Sequence, residues 1–459
     1  MDRRDFLRLL GIGTTAALLP ELLSGRASAQ TVPSTTSAAI PATTSPLARQ
    51  PNIICILSDD VGLGDMGCYG GPFKTPHIDA LATGGLRFER CYSTPLCGPS
   101  RCQLLTGQYP FRTGLISNQS ANAISPDKQI MIPSVLKPAG YVTASVGKWG
   151  QMCLGPKEWG FDEYLTFPGS GKYWASQGGY TLNGKKKDLG ENEYLPDVMH
   201  TFLVDFITRH REEPFFVYYP MSHIHGPILR TPDSRAGKDF YADNITYMDK
   251  LVGKLVAELE RLKLRDNTLI LFLGDNGTAG PHAALATVNG QAVSGQKGTM
   301  WEGGSRVPLI ANRPGQVPAG QVLPDLVDFS DLLPTFAQLA GAALPKDHTL
   351  DGHSFAAQLQ GQKGQPREWI YVELAGKRYV RADRWKLTGA GELYDLKDAP
   401  FKEAPVAADA TDPEATAARK HLHEVLVGLV GPERLGGPAG LEAPGKQPKQ
   451  GKRRRANQP

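Results

Sequence analysis

From Pro51 onward, hydrophobic and polar positions alternate in a repeating scheme. Four short runs are almost wholly apolar, and each stops at polar residues. Asn52-Ile53-Ile54-Cys55-Ile56-Leu57 ends at Ser58-Asp59-Asp60, and Tyr141-Val142-Thr143-Ala144-Ser145-Val146 ends at Gly147-Lys148-Trp149. Phe215-Phe216-Val217-Tyr218-Tyr219 ends at Pro220, with His223 and His225 close behind. Thr268-Leu269-Ile270-Leu271-Phe272-Leu273 ends at Gly274-Asp275-Asn276-Gly277. Runs this apolar predict strands buried on both faces of a parallel sheet.

Between the runs the period changes to 3.6 residues. Leu195, Val198, Met199, Phe202, Leu203, Phe206 and Ile207 mark one helical face. Met248, Leu251, Val252, Leu255, Val256, Leu259 and Leu262 mark another within Asp239–Leu264. Alternating strands and helices predict an α/β fold with a doubly wound, mainly parallel sheet flanked by helices. Ligands bind such sheets beyond the carboxyl ends of the strands. All four runs carry their polar residues at that end, so the pattern predicts a site assembled from distant segments.

Composition narrows the class. Of 459 residues, 41% are hydrophobic and 21% charged, a globular balance rather than a disordered one. Six cysteines are too few for a disulfide scaffold and match no zinc-ligand spacing. The net charge of +4 is unevenly spread: residues 431–459 hold +5 and residues 1–30 hold +1, which leaves −2 for the body. The Pro-, Gly- and Gln-rich stretch 431–459 reads as a disordered, solvated tail, and no nucleic-acid partner is expected.

Residues 1–29 have the parts of an export signal: Arg3-Arg4, an apolar stretch from Leu9 to Leu23, and Ala27-Ser28-Ala29 before the cut. The segment resembles a bacterial twin-arginine signal, which implies the twin-arginine translocase as a partner and a periplasmic or secreted location. It is too short and interrupted for a transmembrane anchor. Residues 30–48 form a Ser/Thr/Pro/Ala-rich linker.

Asp59, Asp60, Asp275 and Asn276 offer three carboxylates and a carboxamide, oxygen ligands that suit calcium or magnesium better than zinc. Singly, each aspartate is also an ordinary turn former after a strand. Crowded together without a cation, the carboxylates would repel. In Cys97-Gly98-Pro99-Ser100-Arg101, Pro99 fits the first turn of a helix. That places Cys97 at a helix N-terminus, which favours an anion, with Arg101 one turn on.

This pentad, followed by Thr106-Gly107, resembles the signature of the type I sulfatases of the alkaline phosphatase superfamily. Asp59-Asp60-Val61-Gly62, Thr75-Pro76-His77-Ile78-Asp79, Gly147-Lys148-Trp149, Gly160-Phe161-Asp162 and Gly274-Asp275-Asn276-Gly277 also match, in order. So do Lys297-Gly298, Glu302-Gly303-Gly304-Ser305-Arg306-Val307-Pro308 and Glu392-Leu393-Tyr394-Asp395-Leu396. The resemblance implies that Cys97 is converted to Cα-formylglycine by a formylglycine-generating or anaerobic sulfatase-maturating enzyme. It implies that Asp59, Asp60, Asp275 and Asn276 bind calcium, rather than magnesium, together with position 97. Arg101 and Lys148 would orient the hydrated aldehyde; His225 and Lys297 would contact the sulfate and assist the leaving oxygen. The substrate would be a sulfated small molecule or glycan. A catalytic domain over 49–365 and a C-terminal α+β subdomain over 366–430 are also implied. The latter would carry an antiparallel sheet with strands such as Trp369–Val372 and Tyr379–Arg381.

One position departs from the family. Its pattern reads Gly-Lys-Trp-His, whereas Trp149 is followed here by Gly150. Either another group, with His223 a candidate, replaces that histidine, or the sulfate-expelling step is slow, or catalysis is impaired. The rival readings are a phosphodiesterase or phosphonate monoester hydrolase of the same superfamily, and a non-catalytic glycan-binding protein. The Gly-rich stretch Tyr164–Tyr194 reads as a substrate-facing insertion.

Overall fold

The structure, a computed structural model, describes residues 50–150, 152–235 and 239–435. The export signal, the linker and residues 436–459 of the basic stretch lie outside the described residues. Ten strands form the main sheet: β1 (Asn52–Ser58), β2 (Leu86–Tyr92), β3 (Val142–Lys148), β4 (Glu163–Phe167), β5 (Tyr180–Leu182), β6 (Lys185–Lys187), β7 (Phe215–Pro220), β8 (Thr268–Gly274), β9 (Arg306–Asn312) and β10 (Gln321–Asp328). Their order is β10-β2-β9-β8-β1-β7-β3-β4-β5-β6. Strands β8, β1, β7, β3 and β4 run parallel. β9 is antiparallel to both neighbours, and β5 and β6 add an antiparallel edge.

The apolar runs fold this way because both faces of each strand are covered. Ile53, Cys55 and Leu57 share one core with Phe216, Tyr218 and Leu271, while Ile54 and Ile56 share the other with Val217, Tyr219 and Ile270. The flanking helices include α1 (Pro76–Thr83), α2 (Cys97–Thr106), α3 (Leu195–Arg209), α4 (Phe240–Arg261) and α5 (Leu332–Ala340). Helices α2 and α5 pack on the first face, and α1, α3 and α4 on the second. Of the predicted face of α3, Leu195, Met199, Leu203, Phe206 and Ile207 are fully buried.

A second sheet of five antiparallel strands follows: β11 (Ile370–Leu374), β12 (Lys377–Arg381), β13 (Trp385–Thr388), β14 (Leu393–Asp395) and β15 (Ala404–Val406). Helix α6 (Pro413–Val430) lays Leu422, Leu426 and Val430 on Tyr371, Val380, Leu387 and Leu393. The chain stays packed beyond Val430: Arg378 donates to the Arg434 carbonyl, and Leu435 joins the same core. The stretch read from sequence as a loose tail from residue 431 is therefore part of the fold through residue 435. No helix among the described residues is long and apolar enough to cross a membrane. All six cysteines carry free thiols.

Candidate active site

The four strands singled out by their polar ends are neighbours in the sheet, in the order β8-β1-β7-β3. Beyond β1 the chain turns through Asp60 in the left-handed region, φ 62°. Flanking backbone fixes this turn: Asp59 N–H donates to the His223 carbonyl at 2.6 Å, and Asp275 N–H to Ser58 at 2.9 Å. Gly277 is required for close approach, since a Cβ there would sit 1.7 Å from the Gly303 carbonyl oxygen.

Helix α2 begins at Cys97, and all ten of its residues are buried. Ser100 Oγ turns back to the Thr94 and Leu96 carbonyls, at 2.8 and 3.0 Å, which fixes the entry to the helix. Cys97 Sγ lies 3.6 Å from Asp59 Oδ1 and 3.8 Å from Asp60 Oδ1. Burial, reinforced by Asp275, pushes this thiol far above its ordinary range despite Lys148. An unmodified Cys97 therefore holds its proton and makes a poor nucleophile.

Three cations frame the carboxylates. Arg101 donates twice to Asp275 Oδ2, at 3.0 and 2.7 Å, and once to the Lys148 carbonyl at 3.1 Å. Lys148 Nζ reaches both oxygens of Asp59 at 2.8 Å, and Lys297 Nζ pairs with Asp60. Burial alone would raise the Asp59 carboxyl, but Lys148 and Arg101 outweigh it and hold the group below its ordinary value. His225 Nδ1 donates to the Gly226 carbonyl at 2.7 Å, because a carbonyl can only accept. Its Nε2 is left facing Asp60, 3.9 Å away. All nine predicted site residues are thus gathered at one place.

Donor atoms of Asp59, Asp60, Cys97 and Asp275 lie within 4.8 Å of one another. Arg101, Lys148 and Lys297 pair with the three carboxylates and offset their repulsion. An indication of a cation comes from Asn276. Its Nδ2 donates to Asp60 at 2.9 Å, while its buried Oδ1 has no hydrogen-bond partner. An orphaned carboxamide oxygen beside carboxylates is the donor set of a hard cation, and the residues fit one.

His223 does not fit the part of a replacement base. It is fully buried; Nε2 meets Tyr194 Oη at 2.9 Å, and Tyr173, Tyr194 and Tyr247 surround the ring. Burial pushes its pKa from 6.5 down to about 3. Between those values the unfolded chain binds a proton that the folded chain refuses, so stability falls with falling pH, by up to about 1.4 kcal/mol per unit. His223→Gln is expected to flatten the decline of the thermal midpoint between pH 6.5 and pH 4, and an unchanged slope would assign that decline to other groups.

Sequence reasoning missed the residues that brace the centre. Asp65 accepts from Gly62 N–H at 2.9 Å, Thr278 Oγ1 at 2.6 Å and Tyr241 Oη at 2.8 Å, which joins the turns after β1 and β8. Lys386, on β13, is fully buried; its ammonium donates to the Met300 carbonyl at 2.9 Å and pairs with Glu403. Tyr379, Trp301 and Tyr394 surround it at 4.5, 5.6 and 5.7 Å. Glu403 in turn accepts the Glu302 N–H at 2.7 Å. The small sheet thereby grips the segment that carries Lys297.

A mainly parallel α/β sheet whose strand ends gather carboxylates, buried cations and a helix-borne cysteine makes an enzyme centre with fixed positive charge for an anionic group. Residues 51–342 match the family profile described as Sulfatase, and residues 295–430 match that of the N-sulphoglucosamine sulphohydrolase C-terminal region. The chain belongs to the sulfatase family and is a sulfatase enzyme. It is 35% identical over 367 residues to N-acetylgalactosamine-6-sulfatase of Canis lupus familiaris, covering 70% of this chain and 68% of that one. Arylsulfatase A of Homo sapiens is 33% identical over 385 residues, covering 74% and 75%. The crystal structure of Ps i-CgsB in complex with k-i-k-neocarrahexaose superposes with a TM-score of 0.72 at 29% identity, over 82% of this chain and 93% of that chain. PsFucS1 sulfatase from Pseudoalteromonas sp. gives 0.68 at 25% identity, over 86% and 92%.

Proposed function

We propose that this sulfatase is an exported hydrolase of sulfate monoesters, aryl or carbohydrate, with residues 49–365 as its catalytic body and position 97 as its nucleophile. The carrying observation is Cys97 Sγ within 3.6 and 3.8 Å of two carboxylates, buried and framed by Arg101, Lys148 and Lys297. Converted to Cα-formylglycine, position 97 would supply a hydrated aldehyde, one hydroxyl to attack sulfur and the other to permit release of sulfate. Calcium, held by Asp59, Asp60, Asp275, Asn276 and position 97, would lower the pKa of the attacking hydroxyl and polarise the sulfuryl oxygens.

The chain's own residues supply the rest. Arg101 and Lys148, pinned on Asp275 and Asp59, hold fixed positive charge beside position 97 and need no rearrangement as charge builds on the ester. Lys297 and His225 are the partly open members, with side chains 16% and 28% exposed, so the sulfate meets them first. His225, its Nδ1 proton fixed on Gly226, exchanges a proton with the leaving oxygen through Nε2. Maturation would occur in the cytoplasm before the twin-arginine translocase exports the folded chain.

The test is the mass of the peptide spanning Cys97, with turnover of an aryl sulfate and an aryl phosphate diester measured in parallel. Thiol-to-aldehyde conversion and sulfate preference are expected. A plain thiol from a host with a maturation system, or exclusive phosphoester turnover, would overturn the reading.

Position 150 bears on rate. A Cβ there would lie 3.3 Å from the Gly169 carbonyl oxygen and 3.7 Å from Lys148 Cγ, so a side chain would border the centre. Among the described residues His225 is the imidazole that borders the centre, while His223 is bound to Tyr194. Gly150→His is expected to raise kcat; an unchanged kcat in a variant that still folds would mean another group already regenerates the aldehyde.

A further inference from the structure

The turn that carries His225 is held by the loop between β4 and β5. Residues 221–226 leave β7 along the end of β1: Met221 N–H donates to the Leu57 carbonyl at 3.0 Å, and Ile224 N–H to the Asp59 carbonyl at 2.6 Å. His225 N–H then turns back to the Ser222 carbonyl at 3.1 Å. These bonds use the N–H groups of the turn, and its carbonyls need donors of their own. Tyr173 supplies one. Its side chain is fully buried and stacked on Tyr194 at a centroid distance of 6.0 Å, and its Oη donates to the Ser222 and His225 carbonyls at 3.0 and 2.8 Å.

Gly171 presses on the same turn. A Cβ there would sit 2.2 Å from the Gly226 carbonyl oxygen and 2.9 Å from that of His225, so only glycine lets the loops approach this closely. The loop is itself braced. Gln177 Oε1 accepts the Tyr173 N–H at 2.8 Å, and Gln177 Nε2 donates to the Gly171 carbonyl at 2.7 Å. Leu195 N–H, at the start of α3, donates to the Tyr173 carbonyl at 2.7 Å. The Gly226 carbonyl against Gly171 is also the group that accepts from His225 Nδ1, at 2.7 Å. The backbone that orients the imidazole is therefore clamped at two successive carbonyls. A proton crosses between Nε2 and a leaving oxygen only over a hydrogen-bond distance, and a displacement of about 1 Å at such a group is costly.

We propose that Tyr173 is a positioning residue for His225: its hydroxyl, together with the bare backbone of Gly171, holds the carbonyls to which the imidazole is tied and so sets the aim of Nε2 at the leaving oxygen. The proposal rests on the sulfate ester reading for what His225 does. The hold on the ring is a separate claim and has its own readout.

The test compares wild type with Tyr173→Phe, which keeps the packed ring and removes one oxygen, and with Gly171→Ala, which reaches the same turn from the other carbonyl. Two substrates are used: phenyl sulfate, whose leaving oxygen needs a proton, and nitrophenyl sulfate, whose leaving oxygen departs more readily as the anion. Tyr173→Phe is expected to lower kcat about tenfold on phenyl sulfate and less than about threefold on nitrophenyl sulfate, with KM nearly unchanged. Gly171→Ala should show the same selectivity. In a His225→Ala background, Tyr173→Phe should cost nothing further on phenyl sulfate, because the group it positions is gone. Equal losses on both substrates, or losses that multiply with His225→Ala, would reduce Tyr173 to a general structural role and overturn the proposal. The second readout needs no turnover. The ring-nitrogen chemical shifts of neutral His225 should report the Nδ1–H tautomer in wild type and move toward the average of the two tautomers in Tyr173→Phe; unchanged shifts would overturn the hold on the ring. A His225→Ala variant that slows both substrates alike would count against the role of His225 in the sulfate ester reading, and the shifts would still decide whether Tyr173 fixes the imidazole.

Discussion

Cys97→Ala is expected to lose sulfate ester turnover by roughly 10^4-fold or more, the scale seen when a covalent nucleophile is removed. The loss should be purely chemical. Cys97 opens a helix whose entry is fixed by Ser100 and Thr94, and alanine suits that helix. Arg101 keeps Asp275, and Lys148 keeps Asp59, so the charge balance of the centre survives. The variant should fold with a thermal midpoint close to wild type and show no mass change at position 97. Residual aryl sulfate turnover above about one part in a hundred of wild type would identify a different nucleophile.

Lys148→Met should cost stability as well as turnover, and the stability loss should carry a reversed dependence on pH. Asp59 and Lys148 are both wholly buried, and the variant leaves Arg101, 3.6 Å away, as the remaining ion-pair partner of Asp59 among the described residues. Stranding a buried charge costs about 3–5 kcal/mol, and the low end is expected because Arg101 remains. In wild type the Asp59 carboxyl is held below its unfolded value, so its contribution is present above that value and lost as pH falls through the folded one. Without Lys148, burial dominates and the carboxyl rises above its unfolded value. Its penalty then grows as pH rises, so the variant should be relatively more stable at pH 5 than at pH 8. Added calcium should recover part of the loss at pH 8. Denaturant unfolding at both pH values, with chelator or calcium, checks this; a pH-independent difference would mean that Asp59 is not the stranded group.

Much of the centre was legible because it depends on short-range pattern. Each apolar run is buried on both faces; Asp59-Asp60 and Asp275-Asn276 follow directly on β1 and β8, Lys148 closes β3, and His225 comes five residues after β7. Pro99 and the small residues around it marked the start of α2. What could not be read depends on pairings distant in sequence. Leu86-Arg87-Phe88-Glu89-Arg90 alternates like a half-exposed strand, as it is, but the pattern could not show that β2 sits one strand in from the edge, between β9 and β10. His223 and His225 differ by two positions and share one motif, but only the fold puts one among tyrosines and the other at the opening. Lys386, in Trp385-Lys386-Leu387-Thr388, has the local pattern of a solvent-facing strand lysine. Its burial follows from Trp301, Tyr379, Tyr394 and Glu403, none of them within five residues of it.

That caged lysine constrains how the protein can be recombined. The last hundred residues supply no member of the proposed centre, and a designer of chimeras would be tempted to exchange them freely. Yet Lys386 and Glu403 bind the backbone at Met300 and Glu302, and Ser294 N–H donates to the Pro400 carbonyl at 2.8 Å. Residues 294–303 and the small sheet therefore form one heritable block, and a graft that separates them would misplace Lys297 while leaving every centre residue in the sequence.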